Sequence, residues 1–306
     1  MIGRQIARLL GMATLGLASL GASAQATKVN VGYVPAGDWV PALVAKDKGI
    51  FDKHGLDVTL TKVAIISNIP AALMSGSLQI GVSTPTVLID TADSGLDMAA
   101  IAGGTRFVKD PAIFSVVVRN GLTVKSAKDL EGKRVGVPGM RSIADVLLRK
   151  WLLDQGVQPS KVNLVEASFP QMKDLLKGGT VDAVAVLEPF RSRIVSDQTG
   201  YRLADYVAEV NPDLLGGIWV ARQQWLNANP KAAQAFRASL TEAIEFMRKN
   251  PDEAKAIEAK HLGFTTPVAL PYSVSLNPAD FEVYGRIGRE VGYLQKPVDG
   301  SRLMAK

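Results

Sequence analysis

Short apolar runs alternate with amphipathic stretches through the first two thirds of the chain. The runs KVNVGYV, LDVTLTKV, LQIGV and DMAAIA are typical of β-strands, and between them apolar residues recur at helical spacing over residues 38–48, 68–75 and 85–92. Asp38 and Asn68 can cap two of these helices, and a Pro follows each of them within the first turn. This alternation predicts an α/β fold with a mainly parallel sheet.

A second series of the same kind, over residues 124–186, repeats the order of the first. The stretch VGY at residue 31 matches VGV at residue 135, and LMSGSLQ at residue 73 matches LKGGTVD at residue 176, so the two offsets are nearly equal. Two separated matches of this kind predict two lobes of one architecture. The alternative is that any two strand–helix–strand units share a Val-Gly strand and a helix-ending Gly.

The final third of the chain is mostly helical, in the segments PKAAQAFRASLTEAIEFMRKNPDEAKAIEA and PADFEVYGRIGREVGYL. Two apolar runs, AIFSVVVRN and LLGGIWVARQQW, are candidate crossings between the lobes, and paired crossings make the second lobe an insertion. The predicted organisation is a signal peptide over residues 1–26, a discontinuous first lobe over 27–118 and 213–306, and an inserted second lobe over 119–212.

The first residues, MIGRQIARLLGMATLGLASLGASAQA, have the pattern of a secretory signal: two Arg, an apolar run and small residues at a cleavage site. The apolar run over residues 9–20 is shorter than the ~20 residues that a membrane span needs. The chain contains no Cys, which excludes a lipoprotein anchor, disulfides and thiol nucleophiles. A soluble mature protein in the periplasm, released from a cleavable signal peptide, is therefore expected.

The charge pattern argues against nucleic acid as a partner. The formal net charge of +6 falls to +4 without Arg4 and Arg8, and the other Lys and Arg residues are interspersed with Asp and Glu. A nucleic-acid-binding surface needs a denser basic stripe, whereas a mild positive charge weakly favours a small anionic ligand.

Hydroxyl, amide, charged and aromatic side chains follow the carboxyl ends of the predicted strands, as in residues 33–39, 67–68, 105–107 and 168–169. In open α/β sheets the ligand binds outside these ends, so loops from two facing lobes are expected to line one cleft. The predicted ligand-binding residues are Tyr33, Trp39, Asn68, Ser83, Thr84, Arg106, Met140, Arg141, Ser142, Glu188, Phe190 and Trp219.

Several of these side chains also have an ordinary structural use. Ser83, Thr84 and Ser142 are typical helix caps, and Tyr33 and Trp39 can simply cover the sheet. Both interpretations stay open from the sequence alone.

The VPGMRS loop precedes a predicted helix over residues 142–155, and the free N–H groups of a helix start favour an anion. Arg141 either clamps that anion or points to water, and Glu188 either accepts a hydrogen bond from a ligand amine or fixes its own loop. The loop lacks the Gly-Lys-Ser/Thr ending of a triphosphate-binding motif.

Catalytic and metal-binding patterns are missing from the sequence. His54 and His261 are the only histidines, and neither has the neighbouring nucleophile that a catalytic triad requires. No spaced His or carboxylate cluster predicts a metal site, and no cofactor is expected. A binding protein is favoured over an enzyme.

Three stretches resemble the periplasmic solute-binding proteins of ABC importers, specifically the nitrate, sulfonate, taurine and thiamine-precursor group. They are VGYVPAGDWVPALVAKDKGIFDKHGLDVTL, SAKDLEGKRVGVPGMRSIADVLLRKWLLDQGV and LLKGGTVDAVAVLEPF. The resemblance implies a type II two-lobe fold with two crossovers, a ligand held between the lobes, and delivery to a membrane permease. It also implies pocket positions for Tyr33, Trp39, Asn68, Ser83, Thr84, Arg141, Ser142 and Glu188.

The predicted function is extracytoplasmic capture of a small organic anion, a sulfonate or carboxylate with aromatic ones included, by a monomer that passes it to an inner-membrane permease. Micromolar binding requires about −8 kcal/mol. One or two charge-assisted hydrogen bonds of roughly 1.5–3 kcal/mol each do not reach that value, so apolar burial has to add to it. The alternatives are a neutral or cationic heterocycle, such as a pyrimidine thiamine precursor, or a dehydratase-like enzyme on the same scaffold.

Overall fold

The computed structural model describes residues 26–305, so the predicted signal peptide lies outside the described residues except for its last position. The strands are β1 (Thr27–Tyr33), β2 (Leu56–Lys62), β3 (Ile80–Ser83), β4 (Met98–Gly103), β5 (Arg106–Val108), β6 (Phe114–Arg119), β7 (Arg134–Val137), β8 (Asn163–Glu166), β9 (Ala183–Leu187), β10 (Gly200–Ala204), β11 (Asp213–Leu215) and β12 (Ile218–Arg222).

The helices include those predicted at residues 38–48, 68–75, 85–92 and 142–155, with bounds that differ by one or two residues. They are α1 (Val40–Asp47), α2 (Ile50–Lys53), α3 (Ile69–Met74), α4 (Pro85–Asp93), α5 (Ile143–Asp154), α6 (Phe169–Lys177), α7 (Phe190–Ser196), α8 (Tyr206–Val210), α9 (Gln223–Ala228), α10 (Pro230–Lys249), α11 (Pro251–Leu262) and α12 (Pro278–Glu290). Among the described residues, no helix combines the length and the apolar character that crossing a membrane would require.

The strands form two five-stranded sheets with the same internal arrangement. The first sheet has the order β2-β1-β3-β12-β4, and the second has the order β10-β6-β9-β7-β8. In the first, β1 lies parallel between β2 and β3, and β12 runs antiparallel to β3. In the second, β7 lies parallel between β8 and β9, and β6 runs antiparallel to β9. The fold is α/β with two lobes of one architecture, as the sequence predicts.

The register of the central strands matches the sequence repeat. Val31 pairs with Leu60 on one side and Ile80 on the other, and Val135 pairs with Leu164 and Ala183 in the same way. Val31 and Val135 are completely buried, as expected for central strands covered on both faces. The two Val-Gly strands therefore occupy equivalent places in the two lobes.

The chain passes between the lobes through a two-stranded antiparallel ribbon made of β5 and β11. Arg106 on β5 pairs with Asp213 on β11 at 2.8 Å and with Asp280 on α12 at 2.9 Å. Residues 114–119 form β6, which pairs with β9 and β10 in the second sheet. The sheet pairing thus places the first crossing before residue 114, whereas the sequence suggested residue 119, because a buried strand and a buried crossing are both simply apolar.

The C-terminal helices complete the first lobe and reach the second. Helices α10 and α11 pack on α1, and α12 packs on α4 and against α5 of the second lobe. The loops that follow the carboxyl ends of the parallel strands β1, β2, β3, β7 and β8 line one cleft.

Candidate functional site

A cavity lies between the lobes, and the space in it that water-sized molecules can occupy is about 40 Å³. Its wall comes from the loops that follow β1, β2, β3, β7 and β8, together with the ends of the crossing segments. The lining residues are Val34, Pro35, Ala36, Asp38, Trp39, Ala64, Ile66, Thr84, Phe107, Phe114, Pro138, Ser142, Ile143, Ser168, Phe169, Leu187 and Gly217. The site is where the rule for open parallel sheets places it.

Aromatic side chains form much of this wall. The rings of Phe107 and Phe114 meet edge to face at 5.3 Å, and Phe114 lies 6.2 Å from Phe169. These rings bring the crossing ribbon, the start of the second lobe and the start of α6 into contact. They give the cavity an apolar, aromatic surface whose ring planes are inclined by 57° and 65° to one another.

Trp39 forms the first-lobe side of the cavity, and its position depends on glycine. A Cβ on Gly217 would lie 2.4 Å from the Trp39 ring, so only glycine fits there. Behind the ring, Trp219 packs edge to face at 5.3 Å. The Tyr272 hydroxyl donates to the Gly37 carbonyl at 2.7 Å and anchors the turn that carries Trp39.

Two buried hydrogen-bonding atoms of the cavity wall lack a partner within the described part of the chain: Trp39 Nε1 and Ser142 Oγ. Ser142 precedes α5, but its side chain makes no capping hydrogen bond. Buried polar groups are normally hydrogen-bonded, so unsatisfied ones at a cavity indicate groups available to a ligand. Trp39 can only donate, and Ser142 can donate or accept.

Thr84 and Ser168 also line the cavity, but their hydroxyls have partners. Thr84 Oγ1 lies 2.9 Å from Thr86 Oγ1 and accepts from the Val87 N–H at 3.4 Å, capping α4. Ser168 Oγ donates to Gln171 at 2.8 Å. Both can still contribute a second hydrogen bond to a ligand.

Asp38 places a carboxyl group in the wall with only 4% of the residue exposed. The Thr105 hydroxyl donates to Oδ1 at 2.5 Å. Burial raises the pKa of this carboxyl, and the hydrogen bond from Thr105 opposes that rise. Among the described residues, no Lys, Arg or His lies within ion-pair distance of Asp38.

Of the predicted ligand-binding residues, Trp39, Thr84 and Ser142 come together at the cavity. Trp219 lies behind Trp39, and Ser83 donates to the neighbouring Thr84 carbonyl. Phe190 stacks on Phe169 at 5.6 Å, in a groove beside the cavity.

The remaining predicted residues lie outside the cavity wall. Tyr33 is buried at the end of β1, Asn68 is exposed, and the Met140 N–H donates to Glu166 at 2.5 Å. A ligand role for these residues stays a prediction.

The three predicted charged residues all have protein partners. Arg141 forms an ion pair with Asp90 on α4 and lies 4.8 Å over the ring of Tyr293. Arg106 holds the crossing ribbon through the two ion pairs described above. Glu188 is buried and accepts hydrogen bonds from Arg191 at 2.7 Å and from the Ser192 hydroxyl at 2.8 Å. The cavity wall itself contains no Lys or Arg among the described residues.

The sequence did not single out several side chains of the wall, notably Asp38, Ile66, Phe107, Phe114 and Phe169. Phe107 and Phe169 lie in strand-end stretches that the pattern marked as facing the cleft. The sequence pattern indicates a helix cap at Asp38 and a crossing segment between the lobes at Phe114. Their position could have been found only by knowing how the two lobes face each other.

The lobes touch across the cleft on both sides of the cavity. Ser67 of the first lobe donates to Glu166 of the second at 3.2 Å. A Cβ on Gly139 would lie 3.1 Å from Ile66. On the other side, the Tyr293 hydroxyl donates to Asp145 on α5 at 2.9 Å, next to the Arg141–Asp90 pair. The cavity is thus enclosed by contacts that depend on how the lobes are placed.

Among residues 26–305, no group of three or more His, Cys, Asp or Glu side chains is arranged to hold a metal ion.

Known proteins resemble this chain in sequence and in structure. The nitrate/nitrite binding protein NrtA of Nostoc sp. is 26% identical over 246 residues, covering 74% of this chain and 55% of that protein. The bicarbonate-binding protein CmpA of Synechococcus sp. is 25% identical over 274 residues, covering 79% of this chain and 59% of that protein. The chain thus spans little more than half the length of these relatives.

The alkanesulfonate-binding protein SsuA of Xanthomonas axonopodis pv. citri, solved with bound MOPS, superposes with a TM-score of 0.79. It is 18% identical and covers 92% of this chain and 99% of its own. The Candida albicans CA3427 product, described as having the generic periplasmic binding protein fold, superposes with a TM-score of 0.73 at 16% identity, covering 90% of this chain and 94% of its own. The fold of this chain is that of the periplasmic binding proteins.

The model of the NMT1-like family matches residues 22–262, which is most of the chain and includes the loops that surround the cavity. The resemblance to the solute-binding proteins of ABC importers, predicted from three stretches of sequence, is confirmed, and the chain belongs to the NMT1-like family.

Proposed function

We propose that this protein is the substrate-binding component of an ABC importer, which captures a small organic molecule between its lobes and delivers it to a membrane permease. The observation that carries the proposal is the aromatic cavity between the lobes, in which Trp39 Nε1 and Ser142 Oγ lack partners among the described residues. The importer-related relatives support the class of function, and their own named ligands are nitrate, nitrite and bicarbonate.

Both lobes contribute residues to the cavity wall, which supports capture of the ligand by closure of the lobes. Trp39 and Thr84 belong to the first lobe, and Ser142 and Phe169 belong to the second. A ligand that touches both lobes binds the closed arrangement more tightly than an open one, and this difference shifts the population toward closure. The permease can then distinguish loaded from empty protein by shape.

The cavity supports an organic ligand better than a bare inorganic anion. The donors Trp39 and Ser142, with the N–H groups at the start of α5, can hold one oxygen-rich group such as a carboxylate or sulfonate. The wall contributes no cation among the described residues, so most of the affinity has to come from burial of an apolar body. A neutral or cationic heterocycle is the second candidate, favoured by the aromatic rings of Phe107, Phe114 and Phe169.

The location and partners follow from the sequence prediction and the family. A secretory signal would take the protein to the periplasm, where an inner-membrane permease is the expected partner. One copy supplies both walls of the cavity, so a monomer is sufficient for binding.

The test is a thermal-shift screen followed by titration calorimetry with sulfonates, carboxylates, nitrate, bicarbonate and aromatic N-heterocycles. An organic ligand should raise the unfolding temperature through mass action. Ser142→Ala and Trp39→Phe should each weaken binding about three- to tenfold, the effect of one lost hydrogen bond.

Lys161→Ala, which removes an exposed ion pair with Glu131 far from the cavity, is the matched control and should bind normally. Equal affinity in wild type, Ser142→Ala and Trp39→Phe would mean that the cavity is not the binding site. Selective binding of nitrate or bicarbonate would contradict an organic ligand.

A further inference from the structure

Asp38 is a buried acidic group to which the binding scheme above gives no partner. It lines the cavity, is 4% exposed, and accepts hydrogen bonds from the Thr105 hydroxyl and from its own backbone N–H, but among the described residues it has no cationic partner. A buried carboxylate is normally paired with a cation or fully hydrogen-bonded, since desolvating it without compensation is costly. Within the described residues no cationic side chain provides that compensation.

We infer that Asp38 accepts a hydrogen bond from a nitrogen of the ligand, so that the substrate class is organic molecules with an N–H group or a protonated nitrogen beside an apolar body. The inference rests on the proposed function and narrows its ligand class: a carboxylate or sulfonate held by Trp39 and Ser142 has to belong to a molecule that also presents nitrogen to Asp38. The ligand would supply, on binding, the cationic or N–H partner that no Lys, Arg or His among the described residues provides.

The same geometry disfavours simple anions. A nitrate, or a benzoate lacking any donor, would share the cavity with the Asp38 carboxyl group and meet no Lys or Arg in the wall. Repulsion between two like charges is strong where water is excluded. A molecule that presents nitrogen to Asp38 and its apolar body to Phe107 and Phe114 avoids this cost.

The neighbours of Asp38 among residues 26–305 have hydrogen-bond partners of their own. Thr105, on the link between β4 and β5, donates to Oδ1. Tyr272 lies beside the same turn and donates to Gly37, and Glu258 on α11 accepts from the Thr266 N–H and hydroxyl. Burial raises the pKa of both Tyr272 and Glu258, and neither a phenol nor a carboxyl group can carry a positive charge beside Asp38.

Asp38 also has a structural contact that the test has to separate from ligand binding. Thr105 Oγ1, which donates to Asp38, accepts from the Gly217 N–H at 3.3 Å and so connects the turn to both crossing segments. Asp38→Asn keeps an oxygen for Thr105 but removes the negative charge. Thr105→Val removes the connection but keeps the charge.

The experiment measures the affinities of benzamidine, benzylamine and 4-aminopyrimidine, with benzoate and benzenesulfonate as size-matched anions, for wild type and both variants. The nitrogen probes should bind wild type. Their affinity for Asp38→Asn should be about ten- to a hundredfold lower, the loss expected for a charge-assisted hydrogen bond. With Thr105→Val their affinity should change less than threefold.

If a variant does not fold, the pH dependence of the affinity of wild type for benzamidine still tests the inference. Benzamidine keeps its charge through the acidic range, so its affinity should fall as the pH decreases toward the raised pKa of Asp38 and the carboxylate is protonated.

Each other outcome is decisive. Nitrogen probes that bind Asp38→Asn as tightly as wild type, or an affinity for benzamidine that does not change with pH, overturn the inference. Binding of benzoate and benzenesulfonate alone also overturns it, while the proposed capture function stands. If no organic probe binds wild type, both the inference and the proposed function fail.

Discussion

Asp38 and Trp39 are neighbours in one short turn, yet they bring opposite hydrogen-bonding characters to the cavity. Trp39 Nε1 can only donate, and the Asp38 carboxylate can only accept. An aromatic residue after a predicted strand is easily recognised as a site candidate, so the sequence predicted Trp39. Asp38 looked like a helix cap, because a sequence does not show that α1 starts two residues later and leaves the carboxyl group in the cavity.

Removing the charge of Asp38 should stabilise the ligand-free protein. Burial raises the pKa of this carboxyl in the folded state, so the folded protein binds protons more tightly than the unfolded chain. The resulting destabilisation of the folded state is complete above the folded-state pKa. It decreases as the pH falls through that pKa toward the pKa of Asp38 in the unfolded chain. Asp38→Asn should therefore unfold at a higher denaturant concentration than wild type at pH 7, and the difference should shrink toward pH 4.

Chemical denaturation at several pH values measures this difference. The contribution of Glu258, whose pKa is also raised by burial, cancels between wild type and variant. Asp57→Asn on the exposed face of β2 controls for the simple loss of a negative charge. A variant that is less stable than wild type at pH 7 would show that Asp38 is a structural residue with its charge already compensated.

At the scale of elements, strand and helix positions followed from hydrophobic periodicity, but contacts between elements did not. The helix predicted over residues 142–155 is α5, observed at Ile143–Asp154. Arg141 just before it has φ +58°, a left-handed conformation that non-glycine residues seldom adopt and that no sequence pattern announces. Its side chain reaches Asp90 on α4 and the Tyr293 ring, which links the two lobes.

Arg141→Ala should weaken ligand binding without removing a cavity contact, since Arg141 lies outside the cavity wall and helps to hold the lobes together. Its side chain is 45% exposed, so the ion pair is worth about 0.2–1 kcal/mol. Affinity should consequently fall about two- to fivefold. Asp90→Ala should have the same or a smaller effect, because Arg141 then keeps its contact with the Tyr293 ring, and the double variant should be no weaker than Arg141→Ala.

Calorimetric titration of the four proteins forms a double-mutant cycle. Lys161→Ala, which breaks an exposed pair inside the second lobe, is the control with an unchanged affinity. A loss of fiftyfold or more for Arg141→Ala alone, with Asp90→Ala unaffected, would instead indicate that Arg141 binds the ligand directly.

At the scale of the whole molecule, the sequence predicted two similar lobes because an internal repeat is visible in a single chain. Val31 and Val135 do occupy equivalent places in the two sheets. The sequence could not predict how the lobes face each other, since that depends on the β5–β11 ribbon and on contacts between residues far apart in the chain. The set of residues that line the cavity could not be predicted for the same reason.

A bulky side chain placed between the lobes should prevent their closure without disturbing the folding of either lobe. Gly139 in the second lobe approaches Ile66 and Ser67 in the first, and its missing side chain lets the lobes meet. Gly139→Trp should hold the lobes apart, lowering ligand affinity at least tenfold, because a ligand in an open cleft loses the contacts of one wall. Gly139→Ala should have a smaller effect, because its Cβ would lie 3.1 Å from Ile66 Cγ2 and a slight shift relieves the contact.

Small-angle scattering and calorimetry together measure this prediction. Wild type should become more compact on adding ligand, whereas Gly139→Trp should keep the larger radius of gyration with and without it. Because each lobe retains its own buried sheet, the unfolding midpoint without ligand should change little in either variant. If Gly139→Trp stays open but binds as tightly as wild type, one lobe holds the ligand alone, and capture by closure cannot be the mechanism.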